Sequence, residues 1–128
     1  RYCDIRENVT LLPFIPQAEL WALFSAADVY ISLSSHDGTP NSFLESIACG
    51  CFPVVGDIPS LREWIDHEKN GLLVNPCDSS AAAEAVISSL RGAKMRKHAA
   101  LVNRRIVAER ADIRRVREKV GEFYANFK

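Results

Sequence analysis

Val29-Tyr30-Ile31-Ser32-Leu33-Ser34 is a short apolar run rich in β-formers. A loop follows it, and then a segment with helical character from Ser42 to Cys49, which Gly50 ends. The same unit returns downstream. Phe52-Pro53-Val54-Val55-Gly56 and Leu72-Leu73-Val74-Asn75 are apolar runs of similar length, each leading into a helical stretch. Strands that are apolar throughout and alternate with helices must be covered on both faces, which is the habit of a parallel sheet. The pattern therefore predicts an α/β fold with helices on both faces of the sheet, its strand-to-helix loops gathered at the carboxyl edge where ligands bind.

A fourth strand is predicted upstream, from Asn8 to Ile15 through Val9-Thr10-Leu11-Leu12-Pro13-Phe14, with Pro13 placing it at an edge. Between it and Val29, residues 17–27 read as a helix whose stripe of Leu20, Trp21, Phe24 and Ala27 faces the core. Ser60-x-x-Glu63 has the form of a capping box and opens another helix. Ser79 and Ser80 open an Ala-rich helix that reaches Leu90 and stops at Gly92. From Lys94 the chain is helical, with one stripe of Met95, Ala99, Val102 and Ile106. A second stripe runs through Ile113, Val116, Val120, Phe123 and Phe127, and Asp112 is placed as N-cap between the two.

With 128 residues, 48% of them apolar and 25% charged, the chain has the size and composition of one globular domain. The domain proper is expected over 1–92, with basic helices over 93–128 packing on it. No apolar run approaches the ~18 residues of a membrane span, and the N-terminus lacks the character of a signal peptide. Because the chain begins with Arg1, it is expected to be part of something longer. Cys3, Cys49, Cys51 and Cys77 lack zinc-ligand spacing and read as thiols of a reducing, cytoplasmic compartment. Charge is divided along the chain. Residues 1–90 carry 12 Asp/Glu against 4 Lys/Arg, and residues 91–128 carry the reverse. The basic helices balance the acidic body or, in a second reading, touch an anionic membrane surface. They lack the aromatic interleaving of a nucleic-acid binder.

The chemistry concentrates in the loop after the first of these strands, His36-Asp37-Gly38-Thr39-Pro40-Asn41-Ser42-Phe43-Leu44-Glu45. A helix N-terminus here offers unpaired N–H groups and a partial positive charge, a place for phosphate. Glu45, in the first turn of a helix beginning at Ser42, leans back toward the sheet edge and suits sugar hydroxyls as hydrogen-bond donors. Each residue has a plainer role too. Ser42-x-x-Glu45 is itself a capping box, and Asp37 could bond its own backbone. His36 could be a local hydrogen bonder, and Gly38 could serve a special backbone angle or close ligand approach. Asp57 and Ser60, in the loop after Val55, reach the same edge as pocket lining or as ordinary turn residues.

Two acids separated by seven residues, Asp37 and Glu45, resemble the acid-x7-acid motif of GT-B glycosyltransferases of the group 1 (GT4) kind. Ile47-Ala48-Cys49-Gly50-Cys51-Phe52-Pro53-Val54-Val55 is similar to that family's "AMACGxPVV" run. Ile58-Pro59-Ser60-Leu61-Arg62-Glu63 is similar to its "xPGxRE" loop, and Asn70-Gly71-Leu72-Leu73-Val74 to its "xGLLV" strand. The resemblance covers about residues 9–90. It implies the Rossmann-like C-terminal domain of such an enzyme, with one or two βα units lying before Arg1. It further implies a nucleotide-diphosphate sugar as donor substrate, transfer with retention, and no metal or cofactor. Asp37 and Glu45 would be the catalytic acids, Asp37 at the transferred sugar and Glu45 at the ribose. Gly38, Thr39, Asn41 and Ser42 would complete the donor site, the amides of Asn41 and Ser42 facing the diphosphate, with His36, Asp57 and Ser60 lining the pocket. The family's basic pair for the leaving group lies upstream and is not assigned to Arg1 or Arg6. An N-terminal acceptor-binding domain would be a separate part, so the chain alone would be inactive. Two features depart from the pattern: Asp37 replaces the usual Glu, and Pro40 removes a backbone donor. A GT-B nucleotide-sugar epimerase, a flavodoxin-like regulatory domain and an interaction module using the basic helices are the other readings of the chain.

Overall fold

The structure is a computed structural model and describes residues 6–127; Arg1 and Cys3 lie outside them. After a 3-10 turn at Arg6–Asn8 come α1 (Gln17–Ala26), β1 (Val29–Ser32), α2 (Asn41–Cys49), β2 (Phe52–Gly56), α3 (Pro59–Arg62) and β3 (Leu72–Val74). Three helices follow: α4 (Ser79–Arg91), α5 (Ala93–Arg110) and α6 (Ile113–Ala125). The strands form one parallel sheet in the order β1-β2-β3, with Val29 beside Phe52 and Val54 beside Leu72.

β2 is buried along its whole length, and its alternating side chains serve two cores. Phe52 and Val54 join Leu72, Val74, Ala82, Ala85 and Ala99, so α4 and the first half of α5 cover that face. Val55 joins Phe43, Ile47, Ile58, Leu61 and Ile65 under α2 and α3 on the other. Each large side chain buried here stabilises the fold by roughly 1.5–3 kcal/mol. The α/β architecture with helices on both faces is thus present.

Glycine is sterically required at Gly50 and Gly56, as it is at Gly71. Gly50 closes α2 in the left-handed region at φ 107°. A Cβ on Gly56 would lie 2.5 Å from the Ser34 carbonyl oxygen, because the chain leaving β1 crosses the end of β2 there.

α5 is held by polar ties as well as by packing. Asn70 and Asn103 are both fully buried. The Asn70 amide donates to Asn103 Oδ1 (2.7 Å) and to the Trp64 carbonyl (3.0 Å), and Asn103 returns a bond to the Asn70 carbonyl (2.8 Å). Arg104 donates to the carbonyls of Ala48 and Cys49 at the end of α2. Arg96 reaches Asp28 at 3.0 Å.

Several sequence expectations need correction. Residues 9–15 form no strand. Leu11 is 90% exposed and Phe14 99%, since β-forming side chains hold a strand only where a partner ladder exists. The sheet therefore has three strands among the described residues, not four. No residue of α1 is buried, and Trp21 is exposed rather than core. α4 is capped by Asp78, which accepts from the Ala81 amide, and not by Ser79 or Ser80. Asp112 caps α6 as expected. The apolar stripe of α6, however, is not buried: Ile113, Val116, Val120, Phe123 and Phe127 are all exposed. No described helix is long and apolar enough to cross a membrane.

Candidate functional site

The loop from Leu33 to Pro40 leaves the carboxyl end of β1, and Asp57 and Ile58 leave the adjacent end of β2. Ser60 joins the two, its hydroxyl donating to the Asp37 carbonyl at 2.9 Å. A cleft of about 300 Å³ opens between them, lined by Ser35, His36, Asp37, Ile58, Pro59, Ser60 and Glu63. The structure thus brings together His36, Asp37 and Ser60 of the sequence-derived candidates. It adds Glu63, which the capping-box reading had assigned to the start of a helix.

That box does not form. α3 begins at Pro59 with Ile58 as N-cap and has no side-chain cap. The Ser60 hydroxyl is committed to Asp37, and Glu63 comes after the last helical residue. Asp57 is not a free pocket acid either. Arg62 grips it through two bonds of 2.6 and 2.9 Å, and this holds its carboxyl below the ordinary range.

α2 starts one residue earlier than expected, at Asn41, which puts Glu45 in the second turn. Pro40 occupies the N-cap, where its missing N–H costs nothing, and its carbonyl accepts from Leu44 at 3.2 Å. No side chain caps this end. Ser42 instead meets the Tyr30 hydroxyl at 3.2 Å, so the Ser42–Glu45 box is absent too. The leading amides of α2, those of Asn41 and Ser42 among them, are left facing outward by helix geometry.

Glu45 accepts from Gln17 Nε2 at 2.7 Å. α1 enters β1 through only Ala27 and Asp28, so its first turn lies at the carboxyl end of the sheet. Gln17 therefore holds Glu45 toward that edge. Glu45 and Asn41 line a groove of about 210 Å³ with Leu44, Ala48, Val107 and Ala111, separate from the cleft at Asp37. The two acids of the motif do not share one cavity in this structure. Gly38 is not in the left-handed region, and the space where its Cβ would stand is open, so the special-angle reading fails. Thr39 accepts from Trp64 Nε1 at 3.1 Å.

Gln17 and Trp64 carried no signal in the sequence. Gln17 is 28 residues from its partner and Trp64 is 25, and neither belongs to a local motif. Among the described residues, no three of His, Cys, Asp and Glu come together to hold a metal ion.

A family model described as "Glycosyl transferases group 1" matches residues 2–104. The chain belongs to this family. The "GDP-mannose:cellobiosyl-diphosphopolyprenol alpha-mannosyltransferase" of Xanthomonas campestris is 29% identical over 82 residues, covering 64% of this chain and 22% of the relative. The chain thus spans about a fifth of the length of the curated relatives it matches. Sucrose-phosphate synthase from Thermosynechococcus elongatus has the same fold over 94% of this chain and 30% of its own, with a TM-score of 0.89 at 24% identity. Anabaena HepE, solved in complex with UDP, matches at TM-score 0.76 and 20% identity over 81% of this chain and 29% of its own. The group 1 domain described here has the Rossmann-like, GT-B architecture that its sequence motifs implied.

Proposed function

We propose that this group 1 glycosyl transferase domain binds the nucleotide-diphosphate-sugar donor of a GT4-type, retaining enzyme. The observation that carries the reading is the uncapped N-terminus of α2, at the carboxyl edge of the sheet, with an acid on either side of it. The outward amides of Asn41 and Ser42 and the partial positive charge of the helix end receive the diphosphate. Glu45, steered by Gln17, accepts hydrogen bonds from the ribose hydroxyls. Asp37, with Gly38 and Thr39 beside it and His36 and Ser60 around it, meets the transferred sugar in the adjoining cleft. A donor laid across the end of α2 would span both cavities, which explains why the two acids open onto different ones.

The chemistry supplied is electrostatic. As the sugar leaves, charge grows on the diphosphate, and the helix terminus is already oriented to meet it. The acceptor is engaged by parts of the enzyme beyond this chain, so the 128 residues bind donor without steady turnover. Among the described residues Cys49, Cys51 and Cys77 are not paired with one another, which is in keeping with a reducing, cytoplasmic setting. The exposed stripe of α6 beside Arg114, Arg115, Arg117 and Lys119 supports peripheral contact with an anionic membrane. The lipid-linked acceptor in the name of the Xanthomonas relative is in keeping with it.

The test is calorimetric titration of UDP, GDP and ADP, and their sugar conjugates, into the full-length protein that carries this chain, beside Glu45→Ala. Removing the ribose acceptor should weaken the bound donor by about 1–3 kcal/mol, a factor of roughly 5 to 150. Unchanged affinity in the variant would reject the assignment of Glu45.

A further inference from the structure

The loop that carries Asp37 is tied down from outside. Thr39 Oγ1 accepts from the indole N–H of Trp64 at 3.1 Å, and the Asp37 carbonyl accepts from Ser60 at 2.9 Å. Between these two ties sits Gly38, exposed and with open space on its Cα. Trp64 is itself fixed on three sides. The Arg110 guanidinium lies over its ring, 4.1 Å from the centroid, and also donates to the Glu63 carbonyl. The Trp64 carbonyl accepts from buried Asn70, which Asn103 anchors to α5. Trp64 further packs against the core formed by Phe43, Leu61 and Ile65.

We propose that Trp64, backed by Arg110, is a positioning residue for the sugar end of the donor, acting through Thr39 on the Asp37 loop. The proposal rests on the donor-site reading above. His36, Asp37 and Gly38 are exposed, and a loop of this kind samples many orientations unless its ends are held. Holding Thr39 against an immobile indole limits the directions in which Asp37 can point. The ordering cost is then met by the fold before the sugar arrives. The nucleotide half of the site is built differently. α2 is anchored by Phe43 and Ile47, in the cluster that the Trp64 ring also packs on, and Glu45 is held by Gln17; neither anchor uses the Trp64 N–H. The Trp64–Thr39 bond should therefore matter for the sugar and not for the nucleotide.

The experiment uses the full-length protein with three probe pairs, UDP-glucose with UDP, GDP-mannose with GDP and ADP-glucose with ADP, titrated by calorimetry. Trp64→Phe keeps an aromatic ring under Arg110 and removes the N–H together with the rest of the five-membered ring. Thr39→Val removes the acceptor at nearly constant volume, and Thr39→Ser keeps it. For the pair that binds, Trp64→Phe and Thr39→Val should each weaken the sugar conjugate roughly three- to tenfold, as for one lost hydrogen bond. Both should leave the free nucleotide within about twofold. The double variant should be no worse than either single, because both delete the same bond, and Thr39→Ser, which keeps the acceptor, should recover conjugate affinity that Thr39→Val loses. Equal losses for conjugate and nucleotide, or no loss in Trp64→Phe, would overturn the proposal. Glu45→Ala in the same series separates the two ideas. If it weakens both probes while Trp64→Phe weakens neither, the positioning role alone fails. If no pair binds to wild type, the donor-site reading fails and this proposal with it.

Discussion

Replacing Asn103 by alanine gives a direct measure of how firmly α5 is attached. Asn103 is fully buried and makes two bonds to Asn70, one as acceptor and one as donor. Alanine leaves the Asn70 carbonyl without this donor, while the Asn70 amide keeps only the Trp64 carbonyl at 3.0 Å. Each buried group deprived of a partner costs about 1–3 kcal/mol, and a small void adds to this. Water entering the space would return part of the loss, so about 2–4 kcal/mol is expected for Asn103→Ala. For a chain of 128 residues, midway between the size classes for which thermal shifts are known, this corresponds to a fall in Tm of roughly 6–16 °C. Urea unfolding followed by far-UV circular dichroism should show a lower midpoint at unchanged m-value. The Asn70→Ala, Asn103→Ala double variant should cost less than the two single losses added together, by about 1–2 kcal/mol. A loss under about 0.5 kcal/mol in the single variant, or strict additivity in the double, would refute the claim that this pair locks α5 to the turn before β3.

Two further outcomes concern the backbone and the last helix. Gly56→Ala should lower stability by about 1–3 kcal/mol in the same urea assay, because the new Cβ meets a main-chain oxygen that cannot swing aside. Arg114 bonds the Asp112 carboxyl and lowers its pKa from the ordinary 3.8 to about 2. Because the folded-state value is the lower one, the cap is complete above about pH 4 and is lost as pH falls toward 2. Residues 113–125 should lose helical chemical shifts over that interval, and Asp112→Ala should abolish the pH dependence.

The sequence made the centre of the fold legible and its periphery less so. β2 announced itself because five residues in a row have no solvated face. α2 did so because Phe43 and Ile47 fall one turn apart ahead of a glycine, the residue that a left-handed helix end favours. Residues 9–15 misled because β-forming side chains describe a preference that only a neighbouring ladder can satisfy, and none lies beside them among the described residues. The capping boxes misled for a local reason. Pro40 and Ile58 took the cap positions, which freed the Ser42 and Ser60 hydroxyls for Tyr30 and Asp37. Asp37 and Glu45 stood out through their spacing. Gln17 and Trp64, which hold the site from distant segments, had no spacing to be recognised by, since such contacts exist only once the chain has folded.

The opposition between an acidic body and basic α5 and α6 has a colloidal consequence. The chain carries no net charge at neutral pH, yet residues 1–90 have a balance of −8 and residues 91–128 one of +8. A particle of that kind lacks the long-range repulsion that keeps proteins apart, while presenting each neighbour with a surface of complementary sign. In dilute buffer near pH 7 it should self-associate and scatter light. Added salt, by shortening the reach of both charges to under ~10 Å, should dissolve it rather than precipitate it.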